Sequence, residues 1–185
     1  MRILGISGSL RRDSLNTKLL RAAAELLPDD VELELYQELA IVPPYDQDRD
    51  GEAPPVEVAR LRDAIAGADA VLFATPEYNS SIPGQLKNAV DWASRPVRAS
   101  SLTGKPVAVI GASTGMYGAV WAQAELRKSL ATAGARVAEA EVAVGRAEGR
   151  FDHDGRLADD EIRDELREAV ATLVGEARVD ELVAA

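Results

Sequence analysis

The sequence contains no cysteine, and this absence excludes disulfide bonds, thiolate metal sites and cysteine nucleophiles. Histidine is also scarce, with His153 alone, and aromatic residues make up only 4% of the 185 residues. No apolar run is long enough to span a bilayer, and the first residues lack the basic-then-apolar order of a secretory signal. We therefore expect a cytoplasmic protein with no membrane partner.

The chain has fewer basic than acidic residues: 21 Lys and Arg residues and 31 Asp and Glu residues give a formal net charge of −10. A surface of this sign repels nucleic acid, and no basic patch overrides it. We therefore expect no nucleic-acid partner. An anionic ligand has to be captured by a local group of cationic side chains, which directs attention to loops that contain arginine.

One such loop lies near the start of the chain. The apolar run 3–6 leads into a hydroxyl-rich stretch, and apolar side chains at helical spacing follow from Leu15. The start of a helix offers unpaired N–H groups and the positive end of the helix dipole, which attract anions. The polar side chains beside these groups are typical of a phosphate site; they are Ser7, Ser9, Arg11, Arg12, Ser14, Asn16 and Thr17.

This loop matches neither G-x-x-x-x-G-K-[ST] nor G-x-G-x-x-G, so the sequence favours a monophosphate over ATP or a dinucleotide. A simpler interpretation stays open. Ser14 or Asn16 can serve only as the cap of the helix, and the arginines can be solvated surface residues.

The order of apolar segments predicts the fold. Strands alternate with amphipathic helices, which indicates a parallel sheet with helices on both faces. The strands near residues 3–6, 70–74 and 107–110 are apolar throughout, whereas those at 31–35 and 137–144 contain acidic residues and suit the edges. These features predict one domain over 1–185, with 176–185 a frayed tail. The predicted fold is a flavodoxin-like, doubly wound α/β fold with a five-stranded sheet of order 2-1-3-4-5. Its ligand site is expected beyond the carboxyl ends of the central strands.

Two stretches carry a resemblance to a known family. GSLRRDSLN, at residues 8–16, and PEYNSSIPGQLKNAVDWASR, at residues 76–95, resemble the NADPH-dependent FMN reductases, a group that includes quinone, azo-dye and chromate reductases. The resemblance extends to about Leu130. It implies FMN as cofactor, NADPH or NADH as electron donor, and a quinone-like or other small molecule as acceptor. It also implies a homodimer or a tetramer with the active site near the interface.

The resemblance also implies roles for individual residues. Four side chains would bind the flavin phosphate with two further backbone contacts, and two other loops would hold the flavin ring. The phosphate residues are Ser9, Arg11, Ser14 and Asn16, with Leu15 and Thr17 through their backbone; the ring residues are Pro76, Glu77, Tyr78 and Asn79, completed by Ser113, Thr114 and Gly115. Tyr117 and Trp121 depart from the family pattern, so the shape of the acceptor pocket stays open.

As a hypothesis, hydride passes from NAD(P)H through flavin N5 to the acceptor in a ping-pong reaction, with no side chain as acid, base or nucleophile. Two alternatives remain. One is a non-enzymatic electron carrier or redox sensor. The other is a serine hydrolase, because Gly111–Gly115 matches G-x-S-x-G with Ser113 as nucleophile and His153 downstream. No metal site is expected.

Overall fold

The computed structural model describes the backbone of residues 1–184 and the side-chain surroundings of residues 1–179. Six parallel strands form one sheet in the order β2-β1-β3-β4-β5, and β6 pairs with β4 beside β5. The strands are β1 Arg2–Ser7, β2 Glu32–Leu35, β3 Ala70–Thr75, β4 Pro106–Ala112, β5 Arg136–Val137 and β6 Ala143–Val144. The predicted strand order and the central position of the three apolar strands are confirmed.

The helices cover both faces of the sheet, as predicted. They are α1 Leu15–Ala24, α2 Val56–Ala66, α3 Gly84–Ala93, α4 Val120–Thr132 and α5 Asp160–Ala184. Because side chains alternate along a strand, Ala108 and Ile110 of β4 pack with α1 and α5, whereas Val107 and Val109 pack with α2, α3 and α4. The sheet therefore lies between two apolar layers, with its loops free to form a site at one edge.

The fifth position in the sheet differs from the single strand that the sequence predicts. Two two-residue strands, β5 and β6, occupy it, and the chain between them leaves the ladder. Arg127 of α4 explains the gap, because its guanidinium donates to the carbonyl of Val109 at 2.9 Å and to that of Ala140 at 2.6 Å. An arginine side chain thus supplies the bonds that a continuous strand would have made.

The last helix extends into the segment 176–185 that the sequence leads us to expect as a frayed tail. Helix α5 passes through Gly175 and continues to Ala184. Ala177 is buried in the α1–α5 layer, and the Arg178 guanidinium donates to the Asp30 carboxylate at 2.7 and 3.0 Å. These contacts lie beyond Gly175, at the start of that segment, and the backbone is described as far as Ala184. Among the described helices, none has the length and hydropathy that crossing a bilayer requires.

The long connection between β2 and α2 is fastened to α2 and α3. Trp92 donates from its indole N–H to the carbonyl of Pro43 at 2.8 Å. Arg62 forms an ion pair with Asp50 at 2.7 Å, in which the two side chains are only 16% and 12% exposed. The connection is therefore held by buried polar contacts across the α2–α3 surface.

Candidate functional site

The three loops predicted to form the site lie side by side. Strands β1, β3, β4 and β6 are parallel, so they all end at the same edge of the sheet. The N–H of Gly8 donates to the carbonyl of Ala74 at 2.8 Å. A Cβ at Gly8 would stand 2.7 Å from a methyl group of Leu86 and 3.2 Å from Pro76, so a larger residue would have to displace the Leu86 side chain. The first loop and the loop after β3 are thereby held against each other.

The first loop offers backbone donors at the start of α1. Ser14 is the N-cap, and its hydroxyl accepts from the N–H of Thr17 at 3.1 Å. Among the hydrogen bonds of the described residues, none uses the N–H of Leu15 or Asn16. These two donors and the dipole of α1 favour an anion at this position. Of the two open interpretations of Ser14, capping is confirmed, and its capping role coexists with the free donors beside it.

A cavity of about 230 Å³ adjoins this loop. Hydroxyl groups and three guanidinium groups line it, from Ser7, Ser9, Thr17, Arg11, Arg12 and Arg21. The hydroxyl of Thr17 donates to that of Ser7 at 3.1 Å, which fixes the two on one side of the cavity. The cavity therefore combines small polar side chains with positive charge, as a phosphate requires.

The arginines around this cavity are exposed and lack salt bridges among the described residues. Arg11, Arg12 and Arg21 form no salt bridge there, although the chain has an excess of acidic residues. The carboxylate of Asp13 is instead bonded to Lys18 at 2.7 Å, and this hydrogen bond lowers the pKa of Asp13. Three exposed arginines without a salt bridge, close together in an acidic protein, favour an anionic ligand at this position.

The family resemblance implies that the Asn16 side chain contacts the flavin phosphate, but the structure places this side chain elsewhere. Its side chain is buried, and its amide N–H donates to the carbonyl of Ala112 at 2.9 Å while its amide oxygen accepts from the N–H of Ala112 at 2.9 Å. The side chain thus joins the start of α1 to the end of β4. Only the backbone N–H of Asn16 is left for a phosphate.

The loop after β3 forms a tight turn. Tyr78 and Ser81 exchange two backbone hydrogen bonds at 3.2 and 3.1 Å, and Asn79 and Ser80 between them have φ angles of 52° and 59°. Positive φ at both central positions is typical of a type I′ turn. Pro76 is buried, whereas Tyr78 and Asn79 are exposed at the edge of the sheet. The turn therefore holds Tyr78 and Asn79, two of the residues predicted to contact the flavin ring, in solvent-exposed positions.

Glu77 has a structural contact that the sequence did not show. One oxygen of its carboxylate accepts from the N–H of Trp121 at 3.0 Å and from that of Ala122 at 3.1 Å. These are the second and third residues of α4, so Glu77 caps that helix from another loop. Its carboxylate therefore links the β3 loop to α4.

The loop after β4 packs against the segment that follows β6. The hydroxyl of Ser113 accepts from the N–H of Gly115 at 3.1 Å, and the carbonyl of Gly115 accepts from the N–H of Arg146 at 2.8 Å. A Cβ at Gly118, where φ is 59°, would stand 2.3 Å from the carbonyl carbon of Ala143. Thr114 and Gly115 are left exposed beside the first two loops.

The same loop does not support the hydrolase alternative. The side chain of His153 is 89% exposed, and its Nε2 lies 3.3 Å from the carboxylate of Asp154. Within the described residues no base contacts the hydroxyl of Ser113, whose bond is to Gly115. A serine nucleophile requires an adjacent base, which is missing at this position.

Three features of the site were missed in the sequence. Arg21 could have been found, because it follows Thr17 by four residues and so lies on the same face of α1. Tyr36 also borders the cavity; its hydroxyl is buried without a hydrogen bond, and burial raises its pKa to about 12. Arg146 has a φ of 50° directly behind the β4 loop. Nothing in the sequence around Tyr36 or Arg146 indicates that these residues lie at the site.

Known proteins resemble the chain over nearly its whole length. The family model of NADPH-dependent FMN reductases matches residues 1–149. An NAD(P)H-dependent FMN reductase of Pseudomonas aeruginosa is 42% identical over 94% of this chain and 93% of its own, and a quinone reductase of Pseudomonas putida is 43% identical over 83% of each. The structure of FerB, a flavoenzyme NAD(P)H:(acceptor) oxidoreductase from Paracoccus denitrificans, superposes with a TM-score of 0.86 and 38% identity, covering 96% of this chain and 97% of that one.

Proposed function

Because the chain belongs to the NADPH-dependent FMN reductase family, and is accordingly a flavin-dependent NAD(P)H oxidoreductase, we propose that its carboxyl-edge loops hold FMN and admit a quinone-like acceptor. The single observation that carries this proposal is the set of free donors at the start of α1. The N–H groups of Leu15 and Asn16 have no acceptor at the start of α1, and the same loop and helix contribute Arg11, Arg12 and Arg21, which form no salt bridge among the described residues, to the lining of a cavity. That arrangement fits the phosphate of FMN.

The proposed binding of the phosphate uses charge-assisted contacts. Hydrogen bonds to charged groups contribute about 1.5–3 kcal/mol each, and the helix start adds roughly 0.3–2 kcal/mol. We assign the side-chain contacts to Ser9, Arg11 and Ser14, and the backbone contacts to the N–H groups of Leu15 and Asn16, because the N–H of Thr17 is bonded to the Ser14 hydroxyl. A few such bonds supply much of the ~8–12 kcal/mol that binding in the micromolar to nanomolar range requires.

The other two loops are proposed to hold the flavin ring. Pro76, Tyr78 and Asn79 would face it from the β3 loop, and 113–115 from the β4 loop, while Glu77 braces the first of these against α4. When bound, FMN supplies the hydride acceptor and two-electron donor that no side chain of this protein provides. Overall, NAD(P)H and one proton reduce a quinone to a hydroquinone and leave NAD(P)⁺. One site used in turn by donor and acceptor predicts ping-pong kinetics.

The test replaces the phosphate contacts and leaves the fold alone. Arg11→Ala and Ser9→Ala should each weaken FMN binding, the former about 10- to 100-fold, since one charge-assisted bond of about 1.5–3 kcal/mol is lost. The measurement is quenching of flavin fluorescence on titration of the apoprotein. Arg49→Ala, which removes an exposed arginine on the β2–α2 connection, is the matched control. Unchanged FMN affinity in Arg11→Ala would contradict the assignment.

We further propose a homodimer, acting in the cytoplasm where NAD(P)H is produced. A groove of about 770 Å³ between α3 and α4 supports the dimer. It carries both signs of charge, with Lys87 and Asp91 on α3 and Glu125 and Lys128 on α4, so a copy related by a two-fold axis can pair with it. Light scattering should give about twice the 19.7 kDa chain mass, and Lys128→Glu should shift the protein toward the monomer. A monomeric wild-type protein would contradict this proposal.

A further inference from the structure

Two exposed aromatic side chains, Tyr117 and Trp121, lie next to each other beside the proposed flavin site, and we call this pair the aromatic corner. Tyr117, in the loop after β4, and Trp121, in the first turn of α4, are 59% and 48% exposed. Their ring centroids are 5.2 Å apart, and their planes meet at 74°. The chain has only two Trp, four Tyr and two Phe residues, so exposing two of the eight at one place is a large share of its aromatic surface. Clustered exposed apolar groups usually mark a binding surface.

The corner is fixed in position relative to the β3 loop. The backbone N–H of Trp121 donates to the Glu77 carboxylate at 3.0 Å, and Glu77 precedes Tyr78, a proposed ring contact that is 50% exposed. The N–H of Val120 donates to the carbonyl of Tyr117 at 3.3 Å, which closes the turn between the two aromatic residues. The corner is therefore a fixed part of the rim of the carboxyl-edge site.

We propose that Tyr117 and Trp121 determine acceptor specificity by stacking against planar aromatic acceptors with fused rings, in preference to small or anionic ones. This inference rests on the proposed function, because it concerns the acceptor that follows NAD(P)H at the same site. Two rings near a right angle offer one face for offset stacking and a second wall for edge-to-face contact. Each additional fused ring of the acceptor covers more of this surface.

Charge around the corner favours an uncharged occupant. Glu125 follows Trp121 by one helical turn, is exposed, and accepts a hydrogen bond from the hydroxyl of Ser81. The arginines of the first loop line a different cavity. Next to Glu125 and with a net charge of −10 as background, a compact multiply charged anion is disfavoured at the corner itself, whereas a neutral quinone, like the uncharged reduced nicotinamide ring of NAD(P)H, is not.

The experiment compares acceptors on the FMN-loaded protein. The kcat/KM values for 1,4-naphthoquinone, 1,4-benzoquinone and ferricyanide are measured at saturating NADPH for the wild type, Tyr117→Ala, Trp121→Ala and Trp121→Phe. We expect Trp121→Ala to lower the naphthoquinone-to-ferricyanide ratio about three- to tenfold, the range that one aromatic pair contributes, and Trp121→Phe to keep most of it. Val56→Ala, which truncates an exposed residue of α2, should leave the ratio unchanged.

A second measurement avoids turnover. Equilibrium dialysis of naphthoquinone against the oxidised, FMN-loaded protein should show weaker binding by Trp121→Ala, and the absence of cysteine removes thiol addition as a complication. Unchanged acceptor ratios and unchanged dialysis would overturn the inference. So would a change in oligomeric mass with unchanged ratios, because the corner would then be an interface between copies. Failure of the wild type to bind FMN or to oxidise NADPH with every acceptor would overturn the proposed function instead.

Discussion

Replacing Asn16 by alanine separates the structural contact seen here from a role in binding phosphate. The Asn16 side chain is 2% exposed and makes two hydrogen bonds of 2.9 Å to the backbone of Ala112. Without it, one buried N–H and one buried C=O lose their partners, at about 1–3 kcal/mol for each unsatisfied group. We therefore expect Asn16→Ala to lower the free energy of unfolding by about 2–5 kcal/mol. For a chain of this size that corresponds to a decrease in Tm of roughly 5–15 °C.

The assay is thermal unfolding of the apoprotein, followed by circular dichroism, so that ligand binding does not contribute to stability. Asn16→Asp keeps the acceptor for the Ala112 N–H but sets an oxygen against the Ala112 carbonyl, and it should be destabilised as well. Ser9→Ala, which changes an FMN contact in the same loop, should leave the Tm of the apoprotein nearly unchanged. If Asn16→Ala unfolds within 1–2 °C of the wild type but loses FMN affinity as Arg11→Ala does, the structural interpretation is wrong.

Three other substitutions test contacts around the site. Glu77→Ala removes the acceptor for two N–H groups of α4 and should lower the free energy of unfolding by about 1–2 kcal/mol in urea titration, with Glu77→Gln restoring much of it; equal stability of both variants and the wild type would contradict the cap. Arg62→Met removes the ion-pair partner of the largely buried Asp50 carboxylate, which keeps only the hydrogen bond from the Tyr45 hydroxyl and the more distant charge of Arg95, and should cost about 3 kcal/mol; a loss under 1 kcal/mol would show that this pair does not hold the β2–α2 connection. Tyr36→Phe removes a buried hydroxyl without a partner and should stabilise the protein by about 1 kcal/mol at neutral pH. Because the pKa of Tyr36 is about 12 in the folded protein against 10.0 for a free phenol, the unfolded chain ionises first and the wild type loses stability from pH 10 to 12; Tyr36→Phe should lack this loss.

The strand order was predictable because strands buried at the centre of the sheet consist mainly of apolar residues, whereas strands at the edge also contain charged ones. Strands β3 and β4 are buried at every position, so each reads as an unbroken apolar run, whereas Glu32 and Glu34 of β2 point to solvent at the edge. The start of α1 was predictable for a similar local reason. A helix cap and its free donors lie within four residues of one another, and Ser14 carries the capping hydroxyl in the sequence itself.

The partners of single polar side chains were not predictable. Asn16 meets Ala112, 96 residues later, and Glu77 meets the backbone of Trp121, 44 residues later. The residue type shows only that an amide or a carboxylate can accept a hydrogen bond, and both could equally have faced a ligand. The break between β5 and β6 has the same origin, because the side chain of Arg127 from α4 takes the carbonyl groups of Val109 and Ala140. Such contacts depend on how complete elements pack.

Backbone strain is concentrated at the same edge of the sheet as the proposed flavin site. Of the five non-glycine residues with positive φ in the described backbone, four lie in the loops after β3, β4 and β6; they are Asn79, Ser80, Ala119 and Arg146. Such conformations cost of order 1–3 kcal/mol each and persist only where surrounding contacts impose them. Here the imposing contacts are the two Tyr78–Ser81 backbone bonds around Asn79 and Ser80, the Glu77 cap of α4 next to Ala119, and the bond from Arg146 to Gly115. Since the loops are already ordered by these contacts, a ligand that enters them does not bear the entropic cost of ordering them, and more of its contact energy appears as affinity.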